Sequence, residues 1–168
     1  GLAPGTLQWR GPFAPETDVP WQGMQAGKIT ERDYWALRMQ ITAELADADW
    51  TAFPHFLAAV RGADPGAVIR PEALAAFKAV EDMGCRLAVL SNDLDLFYGE
   101  DFRAKLPFLA DFDLNVDATY TKILKPDPWA FGFVTDGLGL PAERCVFVDD
   151  QKKNLRGAKE VGMPCVHF

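Results

Sequence analysis

Apolar and polar positions follow two rhythms along this chain. From Trp21 to Val60 the spacing is helical. In "TERDYWALRMQITAEL", Tyr34, Leu37, Ile41 and Leu45 fall near one face at helical period. Thr30 fits an N-cap, with Asp33 three residues on in the arrangement of a capping box. "WTAFPHFLAAV" predicts a second helical piece with Pro54 in its first turn. The first twenty residues, rich in Gly and Pro, read as loop, and "RGADPGAVIR" is a break. From Pro71 short apolar runs alternate with helical stretches. "PEALAAFKAVEDMG" is a helix opened by Pro71 and stopped by Gly84, and "CRLAVLSN" is a strand. A helical segment over "DLFYGEDFRAKLPFLADF" follows, then a short strand in "DLNVDATY" and a helix in "KPDPWAFGFVTDGLGL". The strand "RCVFVDD", the helix "KKNLRGAKEVG" and the strand "MPCVHF" complete the pattern.

Residues 71–168 thus alternate helix and strand, which predicts an α/β fold. The expected architecture is a Rossmann-like parallel sheet covered by helices on both faces, with residues 12–70 forming a small helical unit. In such sheets ligands bind beyond the carboxyl ends of the strands. Three polar features stand at those ends: Ser91-Asn92, Lys125, and the pair Asp149-Asp150.

Composition narrows the partners. Of 168 residues 49% are apolar, enough for a core, and the net charge is −7, which argues against a nucleic-acid or anionic-membrane partner. It leaves open a small anionic substrate met by a local positive pocket. No run approaches a membrane span and no secretory signal opens the chain. Cys85, Cys145 and Cys165 have no metal-site spacing and are expected as buried, reduced thiols, which suits a cytoplasmic location.

Each polar feature has a bland and a chemical meaning. Two adjacent acids after "VFV" can cap a helix N-terminus or hold Mg²⁺, a hard cation that takes carboxylate oxygens and bridges to phosphate. Ser91 can cap the next helix or donate its hydroxyl to an anion. In "KPDP", Pro126 and Pro128 stiffen the backbone, so Lys125 is either a solvated lysine before a helix or an ammonium fixed at a corner. Of the aromatic and sulfur side chains in the first half, Trp21, Trp35, Trp50, Met24 and Met39 are expected mainly in packing, and His55 as structural.

In their order and spacing the three features resemble the haloacid dehalogenase (HAD) superfamily. "LAVLSN" is similar to its second motif, "KILKPDPWAF" to its third and "CVFVDDQKKNLRGAKEVGMPCVHF" to its fourth. The resemblance implies that Ser91 binds phosphoryl oxygen, with Asn92 beside it, and that Lys125 steadies nucleophile and phosphate. It further implies that Asp149 ligates Mg²⁺, with Asp150 supporting it directly or through water. The 12–70 region is similar to the cap such proteins insert, and "GMQAGKITERDYWALR" resembles the branch nearest the phosphatase domain of bifunctional epoxide hydrolases. The implied activity is Mg²⁺-dependent hydrolysis of small phosphate monoesters through an aspartyl-phosphate.

The family's first motif, Asp-x-Asp after an apolar strand, has no counterpart in these residues. "PGTL" resembles the tail of its "DGTL" form and would place Leu2 and Pro4 at the aspartate positions, where neither can attack phosphorus or move a proton. Three explanations compete: the strand and both aspartates lie upstream of Gly1, with residues 1–11 a linker after them; the protein is a non-catalytic binding module; or "GTLQW" is a degenerate first strand. The first is preferred, because in this fold that strand lies mid-sheet and removing it leaves two half-sheets with unpaired backbone groups. A 2-haloacid dehalogenase, which needs no metal, is a further alternative that the Asp149-Asp150 pair counts against.

Overall fold

The computed structural model describes residues 3, 5–11, 14–62 and 64–168, so Leu2 and Pro4 lie outside the described residues. It divides into two compact units, Gly1–Ala63 and Asp64–Phe168.

The first unit is helical: α1 (Val19–Gln25), α2 (Glu31–Ala46) and α3 (Phe53–Arg61). The capping box forms, with the Thr30 hydroxyl accepting from the Asp33 N–H and the Asp33 carboxylate accepting from the Thr30 N–H. The buried face of α2 differs from the expected one. Tyr34, Arg38, Thr42 and Ala43 are buried, whereas Leu45 is 50% exposed. The cause is a partner outside the helix. Asp18, 1% exposed, accepts from Tyr34 Oη at 3.0 Å, from the Trp21 N–H at 2.9 Å, and from the Arg38 guanidinium. A buried ion pair whose carboxylate also takes the tyrosine hydroxyl turns the helix towards its polar members. Burial opposes ionisation of Asp18, but the Trp21 N–H, Tyr34 and Arg38 outweigh it and hold the carboxyl below its ordinary value.

Around this pair the rings pack edge to face: Trp21 on Tyr34, Tyr34 on Trp35 and Trp9 on Trp35. Trp50 lies against Phe56, and Met24 is buried. These side chains therefore serve packing, and His55 is exposed. Residues Gly5–Trp9 form no strand, which removes the degenerate-strand explanation.

The second unit opens with α4 (Pro71–Asp82), then runs β1 (Ala88–Ser91), α5 (Leu94–Tyr98), α6 (Phe102–Lys105), β2 (Leu114–Asp117), α7 (Ala118–Thr121), α8 (Pro128–Leu138), β3 (Phe147–Asp149), α9 (Lys152–Glu160) and β4 (Cys165–His167). The strands make two parallel ribbons, β1 with β2 and β3 with β4. Ser91 lies opposite Asp117, and Asp149 opposite His167. Among the described residues no strand joins the ribbons. Helix α8 links them through its core face: Phe131, fully buried with Ala158 and Met163, packs against Leu90 of β1 and Phe147 of β3. A second cluster sets Val134 and Leu138 of α8 against Val116 of β2. Phe102, Leu106 and Leu109 form a third, beside Val89. Gly139, at φ 62°, takes the left-handed turn that ends α8.

Cys85 corrects the expectation for the thiols. It is exposed, because it falls in the turn between α4 and β1 and not within the strand; Cys145 and Cys165 are half-buried, and all three are free. No helix among the described residues is long and apolar enough to cross a membrane.

Candidate active site

Lys125 joins the features at the two strand ends. Asn92, just past β1 and 8% exposed, binds its main chain twice: the Asn92 Oδ1 accepts from the Lys125 N–H at 2.8 Å, and Asn92 Nδ2 donates to the Lys125 carbonyl at 3.2 Å. The Lys125–Pro126 bond is cis. From this held backbone the side chain reaches the end of β3, where Nζ donates to Asp149 Oδ2 at 2.8 Å. The side chains are 11% and 7% exposed, so the pair is shielded from solvent. The ammonium also lies 5.3 Å from the centre of the Phe147 ring, within cation–π range.

Asp149 carries further donors. Its Oδ1 accepts from the Gln151 N–H at 2.8 Å, and Asn154 Nδ2 lies 3.0 Å from Oδ1 and 3.2 Å from Oδ2. Asp150 is exposed, and its carboxylate makes no hydrogen bond or ion pair among the described residues. Its carbonyl oxygen lies 3.0 Å from His167 Nε2. Ser91 Oγ accepts from the Asp93 N–H at 3.2 Å, which occupies one lone pair and leaves the hydroxyl hydrogen to donate.

Asn92, Lys125 and Asp149 are thus bonded into one chain, with Ser91 adjacent to Asn92 and Asp150 adjacent to Asp149. The Lys125 ammonium offsets the charge of Asp149. Chemically, the arrangement offers a fixed cation, a hydroxyl donor and two carboxylates. Those carboxylates suit Mg²⁺, which is held by one or two of them and keeps waters and phosphate oxygens for its other positions. No cluster of three or more His, Cys, Asp or Glu residues arranged for a metal occurs among the described residues.

Sequence reasoning misses Asn154, although a signal for it exists. The buried face of α9 comprises Asn154, Leu155, Gly157 and Ala158, so an amide occupies an otherwise small and apolar stripe. A second local feature fixes that helix. A Cβ on Gly157 would stand 2.2 Å from the Pro126 carbonyl oxygen, so only glycine permits α9 to approach the Lys125–Pro126 corner this closely.

An α/β unit with a lysine–carboxylate pair at its strand ends is the class that this fold and site define. The family description "haloacid dehalogenase-like hydrolase" matches residues 14–162, and the chain belongs to that family. It is 27% identical over 145 residues to mouse (Mus musculus) acyl-CoA dehydrogenase family member 10, covering 86% of this chain and 13% of that protein. It is 30% identical over 100 residues to a phosphoglycolate phosphatase of Pseudomonas savastanoi pv. phaseolicola, covering 59% of this chain and 36% of that one. The chain therefore spans well under half the length of these relatives. Among solved structures, a HAD phosphatase from Thermococcus onnurineus superposes with TM-score 0.58 at 19% identity, over 93% of this chain and 76% of that one. That likeness supports the fold.

Proposed function

We propose that this chain is part of a phosphate monoester hydrolase acting through an aspartyl-phosphate, its nucleophile supplied by sequence upstream of Gly1. The observation that carries the proposal is the shielded Lys125–Asp149 pair, held beside the end of β1 by Asn92. In this reading residues 12–70, most of them in the first unit, are the cap, and residues 71–168 are the core.

Ser91 donates its hydroxyl hydrogen to a phosphoryl oxygen, its own oxygen being held by the Asp93 N–H. The Asn92 amide is committed to Lys125, so its contribution to substrate runs through the placement of that lysine. Lys125 places one positive charge between nucleophile and phosphoryl group, stabilising the charge that develops as the ester bond breaks. Asp149 keeps that ammonium in place. Asp150, with its carboxylate exposed, and Asp149 would hold Mg²⁺, which supplies further neutralisation of phosphoryl charge. A small phosphorylated metabolite is the expected substrate; the related phosphoglycolate phosphatase supports that size class.

The test uses the protein with the segment that precedes Gly1. Release of inorganic phosphate from p-nitrophenyl phosphate is measured with Mg²⁺ and with EDTA, for wild type and Lys125→Ala. Mg²⁺-dependent release that Lys125→Ala abolishes supports the proposal. Phosphate-ester binding without turnover would replace it with a binding module. Metal-independent halide release from a 2-haloacid would replace it with a dehalogenase.

A further inference from the structure

We infer that Asp117 is a positioning residue for Ser91, holding the turn after β1 so that the serine hydroxyl has a single direction. The inference rests on the functional reading above and concerns a residue to which that reading gives no role.

Three observations meet here. First, Asp117 ends β2, opposite Ser91 in the parallel ladder, and is 4% exposed. Second, its two oxygens serve two separate segments. Oδ1 accepts from the Thr119 N–H at 2.9 Å, in α7, and Oδ2 accepts from the Asp95 N–H at 2.7 Å, in the first turn of α5. An amide here would set its NH₂ against one of those N–H groups, so the two contacts together call for a carboxylate. Third, α5 is not capped from its own N-cap position. The Asp93 side chain makes no capping bond, and the first N–H groups of a helix have no partner within it. The Asp95 N–H is instead satisfied from 22 positions away. Tyr120 of α7 adds a second tie, its Oη donating to the Asp95 carboxylate.

The consequence falls on Ser91. Only Asn92 and Asp93 separate it from α5, and its Oγ accepts from the Asp93 N–H at 3.2 Å. The start of α5 thus sets where Asp93 lies. Asp93 in turn decides which lone pair of Ser91 is occupied and which direction is left for its hydrogen.

The test uses the protein with the segment that precedes Gly1, ¹⁵N-labelled and free of ligand. Asp117→Asn keeps the volume and one acceptor. Hydrogen exchange should accelerate about tenfold or more at the Asp95 amide and also at the Asp93 amide, the scale of one hydrogen bond to a charged group. Wild-type exchange at Asp93, whatever happens at Asp95, overturns the inference, since Asp117 would then only cap α5. Calorimetry with inorganic phosphate gives a second readout. Asp117→Asn should weaken binding about tenfold in the wild-type background and leave it unchanged in Ser91→Ala, because both act through one hydroxyl. Equal losses in the two backgrounds, the mark of a merely structural effect, overturn the inference. Should Asp117→Asn fail to fold, Asp117→Ser takes its place, being too short to reach both segments. Failure of wild type to bind phosphate defeats the phosphatase reading separately, and the exchange comparison remains decisive in that case.

Discussion

Replacing Gly157 by alanine puts a methyl carbon 2.2 Å from the Pro126 carbonyl oxygen and 3.0 Å from its carbonyl carbon. Ordinary carbon–oxygen contacts begin at about 3.3 Å, so helix and corner must separate by about 1 Å. The obstacle is backbone and has no rotamer to retreat into. Overpacking of this kind costs about 1–3 kcal/mol, while alanine regains about 1 kcal/mol of helix propensity over glycine. A net loss of up to about 2 kcal/mol follows. At roughly 2–4 °C per kcal/mol for a chain of this size, the melting temperature should drop by up to about 8 °C. The displacement also falls on the 2.8 Å Lys125–Asp149 contact, so phosphate binding should weaken beyond what the melting change alone explains. Gly132, in the interior of α8 with open space for 4 Å around the point where a Cβ would stand, is the control. Gly132→Ala should be neutral or stabilising by up to about 1 kcal/mol. Differential scanning fluorimetry on both variants decides the matter. A Gly157→Ala protein that melts at or above wild type, with phosphate binding intact, would refute the close-approach argument.

Two further outcomes follow from the geometry. Asp18→Asn should destabilise the first unit by about 3–5 kcal/mol, because Arg38 is left as a buried charge without its carboxylate. Since the folded Asp18 pKa is depressed, its stabilisation is present above the ordinary carboxylate pKa and is lost as pH falls through the depressed value. Denaturant midpoints in the acid range should therefore fall in wild type, and this component should vanish in the variant. With a chromogenic disulfide reagent, exposed Cys85 should react first, and Cys145, whose thiol burial pushes up, should lag; equal rates for all three thiols would contradict the burial pattern.

The order of elements in residues 71–168 was legible because strands and helices there are short, apolar and bounded by Pro or Gly. Pro71, Gly84 and Gly139 mark ends that the backbone respects. The polar constellation was legible for the same reason, since Ser91, Lys125 and Asp149 follow strand or helix boundaries. What local pattern does not carry is a distant partner. The buried stripe of α2 follows Asp18, some twenty residues away, and not the apolar period of the helix itself. The Asn92 amide binds the backbone of Lys125 across 33 positions, and no spacing rule anticipates it. Asn154 reads as an ordinary helix-surface amide until the fold turns it inward. Cys85 shows the reverse error: an apolar neighbourhood in sequence became an exposed turn.

Active-site polar groups commonly reduce stability, so that removing them yields sturdier, inactive proteins. The bonding among these polar groups reverses that expectation here. Asn92, Lys125, Asp149 and Asn154 form a hydrogen-bonded clasp from the end of β1 to the start of α9. Residues that would handle substrate thus also carry load between the two halves of the unit. Drift at these positions would be punished twice, once in chemistry and once in folding, and a stabilising neutralisation of the site should be correspondingly hard to find.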